Sequence, residues 1–326
     1  MQKLSLPELT LCCVDTTGRI PMSLQGIQRC MEQVAFGDAV LLTTPELLHG
    51  QKVPTTLRIV PIAPIRSIEE YSLFILKSLS RYVSTSHCLI VQWDGFVIDA
   101  GRWTDDFLQY DYIGAPWRDV DPEIAVGNGG FSLRSKRLLV ALESDSLVAQ
   151  HPEDVCICKQ HRKALENQGI RFAEIGLARR FSVEDGEISG NTFGFHGPRH
   201  LPAVLGPESM VGFIKSFSPE KLLFSNLFDM LLRELTSTAA RNRDFEPALQ
   251  ALTDVIQKAL TDYKASAIES EYSLTIAKAL VRYGQYEAAQ ILLRYRTESC
   301  GFNWTNLKLW IRLHTYRLMA LAGLRN

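Results

Sequence analysis

The sequence predicts an α/β protein with a mostly parallel sheet flanked by helices, joined to an all-α C-terminal part. Three observations carry this. Short apolar runs rich in β-branched residues alternate with helix-period segments through the N-terminal half. Acids fall at the ends of two of those runs, Asp15 and Asp94. Beyond a stretch marked by Pro198, Pro202, Gly206-Pro207 and Ser218-Pro219, strand signals stop and helical periodicity continues. Strand–helix alternation implies crossover connections, hence parallel strands covered on both faces, with ligands beyond the C-terminal strand ends.

Element by element, residues 9–15 (LTLCCVD) read as a buried first strand. Leu24, Ile27, Met31 and Val34 share one helix face over Ser23 to Val34. Ala39–Thr43 and Leu57–Ile62 are the next strands. Ser67 and Glu70 form a capping-box pattern opening a helix that runs to about Tyr82. Cys88–Val91 is a buried strand delivering Gln92-Trp93-Asp94 at its end. Asp99 to Gly127 changes character, being aromatic, acidic and proline-containing, and reads as a substrate-shaping segment rather than a regular unit. Phe131–Leu133 is a short strand, Lys136–Leu142 a helix, and Pro152 suits the first turn of a helix from Glu153 towards Leu165. Arg171–Ile175 reads as a late strand and Leu177–Phe181 as a short helix. The division follows as residues 1–215 for the α/β domain and 216–326 for the helical one. In the latter, Tyr283 to Ala289 loosely resembles the turn of a tetratricopeptide hairpin. An array needs several such matches at constant period, so plain helical packing is preferred.

Composition narrows the class. The 326 residues are 46% hydrophobic and 22% charged, as in ordinary globular proteins. The net charge of -1 argues against a nucleic-acid binder. The start lacks a signal peptide's apolar core, and no apolar run approaches bilayer length. A cytoplasmic protein is expected, without a transmembrane segment and compatible with peripheral association at the inner membrane. The seven cysteines then read as reduced thiols. Cys156 and Cys158, spaced C-x-C with no second pair at zinc-ribbon spacing, do not make a zinc site.

Four polar motifs carry the chemistry. Gln92-Trp93-Asp94-Gly95 sets a carboxylate at a strand end, where it can hold a hard cation such as Mn²⁺ or Mg²⁺ or remain a solvated turn acid. Gly127-Asn128-Gly129-Gly130 lets backbone approach a ligand closely, with Asn128 placed to bond a sugar hydroxyl; a hairpin or bulge is the alternative. Arg134 behind it faces either a phosphate or a local acid. Glu153-Asp154 opens a helix, where acids suit the dipole; the functional reading makes Asp154 a general base and leaves Glu153 a helix-start acid. His196, between Gly194-Phe195 and Gly197, is a candidate metal ligand or a cap on the sheet end. Asp15 and Thr16 are candidates for contacts to a nucleotide. Tyr112 to Trp117 could stack on sugar rings or be structural aromatics.

Leu9 to Arg199 resembles a family of GT-A-fold glycosyltransferase-like domains of largely unassigned function in bacteria and fungi. The resemblance rests on Gln92-Trp93-Asp94-Gly95, Tyr110–Trp117 (YDYIGAPW), Gly127–Arg134 (GNGGFSLR), Pro152-Glu153-Asp154 and Gly194–Gly197. More distantly it is similar to β1,3-galactosyltransferase and fringe enzymes. That similarity implies Asp94 as metal acid, Asp154 as base, His196 as second protein ligand, and inversion at the anomeric carbon. Gln92 stands where the related motif carries its first acid. The resemblance implies a metal-dependent, hexosyltransferase-like enzyme. Its donor would be a nucleotide diphospho-sugar, UDP-linked, held by Asp15, Thr16, Gln92, Asp94, Asn128, Gly129 and Gly130. The acceptor would be a glycan or glycolipid of bacterial surface-polysaccharide synthesis, and the C-terminal helices could recruit a protein partner. The alternative is a catalytically degenerate module that binds sugar nucleotide or glycan, with a partner-recruiting helical domain.

Overall fold

A computed structural model of the chain describes residues 2–118, 120–122, 124–217, 227–262, 277–278, 280–300 and 308–315. The chain divides into two compact units, residues 1–200 and 201–326. Ser218 and Pro219, read above as boundary signals, lie outside the described residues.

In the first unit, β1 (Leu4–Val14), β2 (Val34–Thr43), β3 (Arg58–Pro61), β4 (His87–Ile90), β5 (Tyr112–Gly114) and β6 (Ser132–Ser135) form one sheet. Its order is β3-β2-β1-β4-β6-β5. β1 runs parallel to β2 and β4, and β2 parallel to β3. Only β6 is reversed, antiparallel to β4 and β5. The mostly parallel α/β sheet expected from the sequence is present.

β1 lies inside the sheet, and Leu9, Leu11, Cys12 and Cys13 are buried, as a near-continuous apolar strand requires. One face is covered by α1 (Ile20–Gln33), which buries Ile20, Leu24, Ile27 and Cys30 and opens with Pro21 in its first turn. On the other face Ile75, Leu79 and Leu139 pack with Cys12, Val14, Val40, Leu42, Cys88 and Ile90. Ile75 belongs to α2 (Ile68–Lys77) and Leu139 to α3 (Lys136–Ala141). Ser67 Oγ caps α2 by accepting from the Glu70 backbone N–H at 3.2 Å, while the Glu70 carboxylate accepts from Arg66 N–H at 2.7 Å. α2 is shorter than the sequence suggests: Ser78 leaves helical geometry at φ −134°, and a 3₁₀ turn over Leu79–Tyr82 completes the segment.

Two expectations need correction. Tyr112–Gly114, inside the segment read as irregular, is a core strand, and Trp103 and Phe107 pack edge-on in an aromatic cluster with Phe181 and Phe193. Conversely, Arg171–Ile175 is not a strand. Its backbone makes only a single bridge, Phe172 to Tyr112, before α6 (Ile175–Phe181) begins. The segment from Glu153 is α4 (Glu153–Val155), a π-turn over Cys156–Gln160 and α5 (Arg162–Asn167), with Cys156 and Cys158 both buried. β7 (Ser182–Val183) and β8 (Gly194–Phe195) then form a small parallel pair.

The second unit is helical where described: α7 (Leu201–Lys215), α8 (Leu227–Arg241), α9 (Glu246–Asp262) and α10 (Tyr286–Cys300). α7 breaks at Gly206, whose φ of 74° a residue with a Cβ rarely adopts, immediately before Pro207. Leu231, Leu232, Leu235, Ala248 and Leu252 are buried. At Gly284 (φ 75°) the chain turns, Gln285 N–H donates to the Leu280 carbonyl at 2.8 Å, and α10 begins at Tyr286. No described helix is long and apolar enough to cross a membrane.

Candidate active site

Beyond the C-terminal ends of β1 and β4 lies a cavity of about 670 Å³. Every candidate site residue lines it: Asp15, Thr16, Gln92, Asp94, Asn128, Gly129, Gly130, Asp154 and His196. Residues up to 181 positions apart in the chain (196 minus 15) therefore share one wall system, as ligand sites at parallel-strand ends do.

Asp94 is held by a tight turn. Gln92 and Gly95 exchange backbone hydrogen bonds of 3.0 and 3.1 Å, and Gly197 N–H donates to the Asp94 carbonyl at 2.8 Å. Its side chain is buried, and Oδ1 has no hydrogen-bond partner. Burial pushes this carboxyl above its usual range, with His196 and Arg19 pulling partly back.

His196 follows β8 and donates its backbone N–H to the Val183 carbonyl at 2.9 Å. Its Nδ1 lies 3.2 Å from Glu184 Oε1, and its Nε2 lies 3.7 Å from Asp94 Oδ1 and 3.4 Å from Gln92 Oε1. Burial alone would disfavour the imidazolium, but Asp94 and then Glu184 outweigh it and raise the pKa. Glu184 is correspondingly lowered: burial opposes its charge, but His196 and the Asn128 side chain prevail.

The glycine loop is built for packing within the protein as well as for the cavity. A Cβ on Gly130 would collide with the His196 ring, and one on Gly129 with the Glu153 carboxylate. Asn128 sits at φ 51°, in the left-handed region, buried, with Oδ1 unpartnered. Gly129 N–H donates to Asp154 Oδ2 at 3.1 Å, so the loop directly orients the proposed base. Burial raises the Asp154 pKa, and repulsion from Glu153 adds to it.

Arg134 resolves the choice left by the sequence: it pairs with a local acid. It is fully buried on β6, and Nη2 donates to Glu153 Oε1 at 3.0 Å, Nε to Ser132 Oγ at 3.1 Å, with the guanidinium 5.3 Å from the Tyr112 ring centroid. Glu153 is thus no plain helix-start acid, because the helix start turns inward onto a charge that needs a counter-ion. Tyr112 is corrected with it. Fully buried beneath Arg134, it cannot stack on a sugar.

Asp15 and Thr16 line the cavity with their side chains already engaged. Asp15 accepts from Thr17 N–H and Oγ1 at 2.7 Å each and from Ser23 Oγ at 2.6 Å. Thr16 Oγ1 bonds both the N–H and the carbonyl of Ile65. They shape the loop that forms the cavity wall. Glu184 and Tyr71, which the sequence reading passed over, also line the cavity. Glu184 follows β7, and that strand's pairing with β8 brings it to His196.

A divalent cation fits part of this arrangement. Asp94 Oδ1 is buried without a hydrogen bond, and Glu184 turns His196 so that Nε2 faces it at 3.7 Å. An acid on the far ring nitrogen is the usual way of orienting a metal-binding imidazole. Among the described residues, no group of three or more His, Cys, Asp and Glu gathers for a metal. The remaining coordination would have to come from neutral side chains or from the ligand.

A family described as "Protein of unknown function (DUF5672)" matches residues 55–196, which include every site residue expected from the sequence except Asp15 and Thr16. A search of curated proteins finds no match. Among solved structures, the chain is similar to the crystal structure of S. aureus TarS 1-349 at 10% identity and a TM-score of 0.34, covering 91% of this chain and 93% of that one. It is also similar to the crystal structure of S. aureus TarS at 10% identity and a TM-score of 0.33, covering 97% of this chain and 54% of that one.

Proposed function

We propose that the protein is a metal-dependent, inverting glycosyltransferase that moves a sugar from a nucleotide diphospho-sugar, UDP-linked, to the hydroxyl of a glycan or glycolipid. The observation that carries this reading is the convergence of Asp94, His196, the Asn128–Gly130 loop and Asp154 on one cavity at the strand ends. Mn²⁺ or Mg²⁺ would be held by Asp94 and His196 and, when bound, would neutralise the diphosphate as it leaves. Asn128 Oδ1, buried and unpartnered, is an acceptor ready for a donor hydroxyl. Asp154 takes the proton of the acceptor hydroxyl, and the acceptor oxygen bonds to the anomeric carbon as the bond to the diphosphate breaks, with inversion. Its raised pKa makes this carboxylate a stronger base, and general-base catalysis by a positioned side chain contributes about 10²- to 10⁴-fold in rate. The helical region after about residue 215 is proposed as a partner- or acceptor-recruiting domain, and the setting as cytoplasmic surface-polysaccharide synthesis.

A second reading, a binding module without turnover, is favoured because no group of three or more His, Cys, Asp and Glu gathers for a metal among the described residues. A thermal-shift panel of nucleotide sugars, with Mn²⁺ and with EDTA, tests the donor half of the main reading. A UDP-sugar present at about 100 times its dissociation constant adds about 2.7 kcal/mol, a readable shift. Stabilisation that is equal in EDTA would rule out the Asp94–His196 cation role.

A further inference from the structure

We propose that the side-chain carbonyl of Gln92 is the third protein donor of the cation site and that Tyr71 is the positioning residue that aims it; this rests on the donor-site reading above. Gln92 Oε1 lies 3.4 Å from His196 Nε2, which lies 3.7 Å from Asp94 Oδ1, a buried oxygen that accepts no hydrogen bond. Three donor atoms therefore approach one region of the cavity wall. The other end of the Gln92 amide is committed, since Nε2 donates to the Tyr71 hydroxyl at 3.0 Å. Tyr71 stands on α2, whose cap at Ser67 fixes the helix start beside the cavity. With the amide nitrogen held by Tyr71, the oxygen is the atom left to face Asp94 and His196.

The consequence is a site of low charge. A hard divalent cation prefers oxygen ligands and compensating negative charge. Here the chain offers one carboxylate, a neutral amide oxygen and an imidazole. The site leaves charge on the cation for diphosphate oxygens to neutralise, so cation and nucleoside diphosphate strengthen each other's binding by the same factor. The amide thus ties cation capture to the presence of donor.

The test is Mn²⁺ binding, read from the electron paramagnetic resonance signal of the free ion, with and without UDP, on the full chain. Wild type should bind Mn²⁺ weakly alone and more tightly with UDP. Gln92→Leu should weaken binding with UDP by about 10- to 100-fold, and Tyr71→Phe by about 10-fold, the scale of lost ligand and outer-shell contacts. The double variant should match Gln92→Leu, because Tyr71 acts through Gln92. Gln92→Glu should bind Mn²⁺ without UDP more tightly than wild type, an increase that no purely structural role of Gln92 produces. Circular dichroism confirms that each variant is folded. Gln92→Leu keeping wild-type affinity while Asp94→Ala loses it would overturn this inference and leave the donor site standing. Tyr71→Phe weakening binding equally in the Gln92→Leu background would overturn the positioning role. No Mn²⁺ uptake by wild type with UDP would overturn the inference and the donor-site reading together.

Discussion

Removing the negative charge of Glu153 strands the Arg134 guanidinium in the protein interior. The Arg134 side chain has no exposed surface, Glu153 keeps 10%, and their atoms meet at 3.0 Å. Breaking a buried pair by deleting one partner costs about 3–5 kcal/mol, because the other charge stays desolvated and uncompensated. Glu153→Gln keeps the volume and one acceptor oxygen, so the lower end, about 3 kcal/mol, applies. That is a large share of the about 5–15 kcal/mol that holds a domain folded. At about 2–4 °C per kcal/mol for a domain of this size, the melting temperature should fall by about 6–12 °C. The double variant Arg134→Met with Glu153→Leu should recover most of the loss, since an apolar pair of similar volume carries no desolvation penalty. The assay is thermal and urea unfolding of the three proteins. A Glu153→Gln midpoint within about 2 °C of wild type would refute the reasoning, as would a double variant less stable than the single one.

Two further predictions follow from the same geometry. Gly130→Ala places a methyl group against the His196 ring, so it should weaken Mn²⁺-linked UDP binding by about 10-fold or more while changing UDP binding in EDTA little; equal effects in both conditions would contradict it. The raised His196 pKa means that the folded, metal-free protein holds this proton more tightly than the unfolded chain. Its stabilisation is complete below the ordinary histidine pKa of about 6.5 and is lost as pH rises through the higher folded value. In EDTA, the urea midpoint of wild type should therefore drop more between pH 6 and 9 than that of His196→Gln, and parallel profiles would remove the basis for the claim.

The mostly parallel sheet was legible in the sequence, and so was the grouping of the polar motifs around one cavity. Gln92 to Gly95, the glycine loop, Glu153-Asp154 and His196 are short strings of polar or glycine residues beside apolar segments, and they do line one cavity. Glu184 was not legible, because its role depends on β7 pairing with β8 across an intervening loop and no local spacing signals it. Periodicity marks a strand but not its direction, so the reversal of β6 stayed hidden. The partner of Arg134 stayed open, and Glu153 misled, for a related reason: charged residues are seldom fully buried unless paired, and the pairing spans 19 positions. The first strand begins earlier than its apolar run because a register shift between Leu6 and Thr10 accommodates Pro7, while Gly37 on β2 leaves room for the Pro7 carbonyl. Within the segment read as a sugar platform, Tyr112 is excluded because its fully buried ring supplies core volume instead.

The account stands most directly on Asp154, whose carboxylate is assigned proton transfer rather than donor binding. The measurement is release of UDP from the UDP-sugar identified by the thermal-shift panel, with Mn²⁺ and a glycan acceptor, for wild type and Asp154→Asn. Asn preserves size and can still accept from Gly129 N–H, so Mn²⁺-linked donor binding should stay near wild type. Turnover should fall by about two orders of magnitude or more. Asp154→Asn turning over at the wild-type rate would contradict the base assignment, and a wild type that binds the donor without ever releasing UDP would contradict the transferase reading itself.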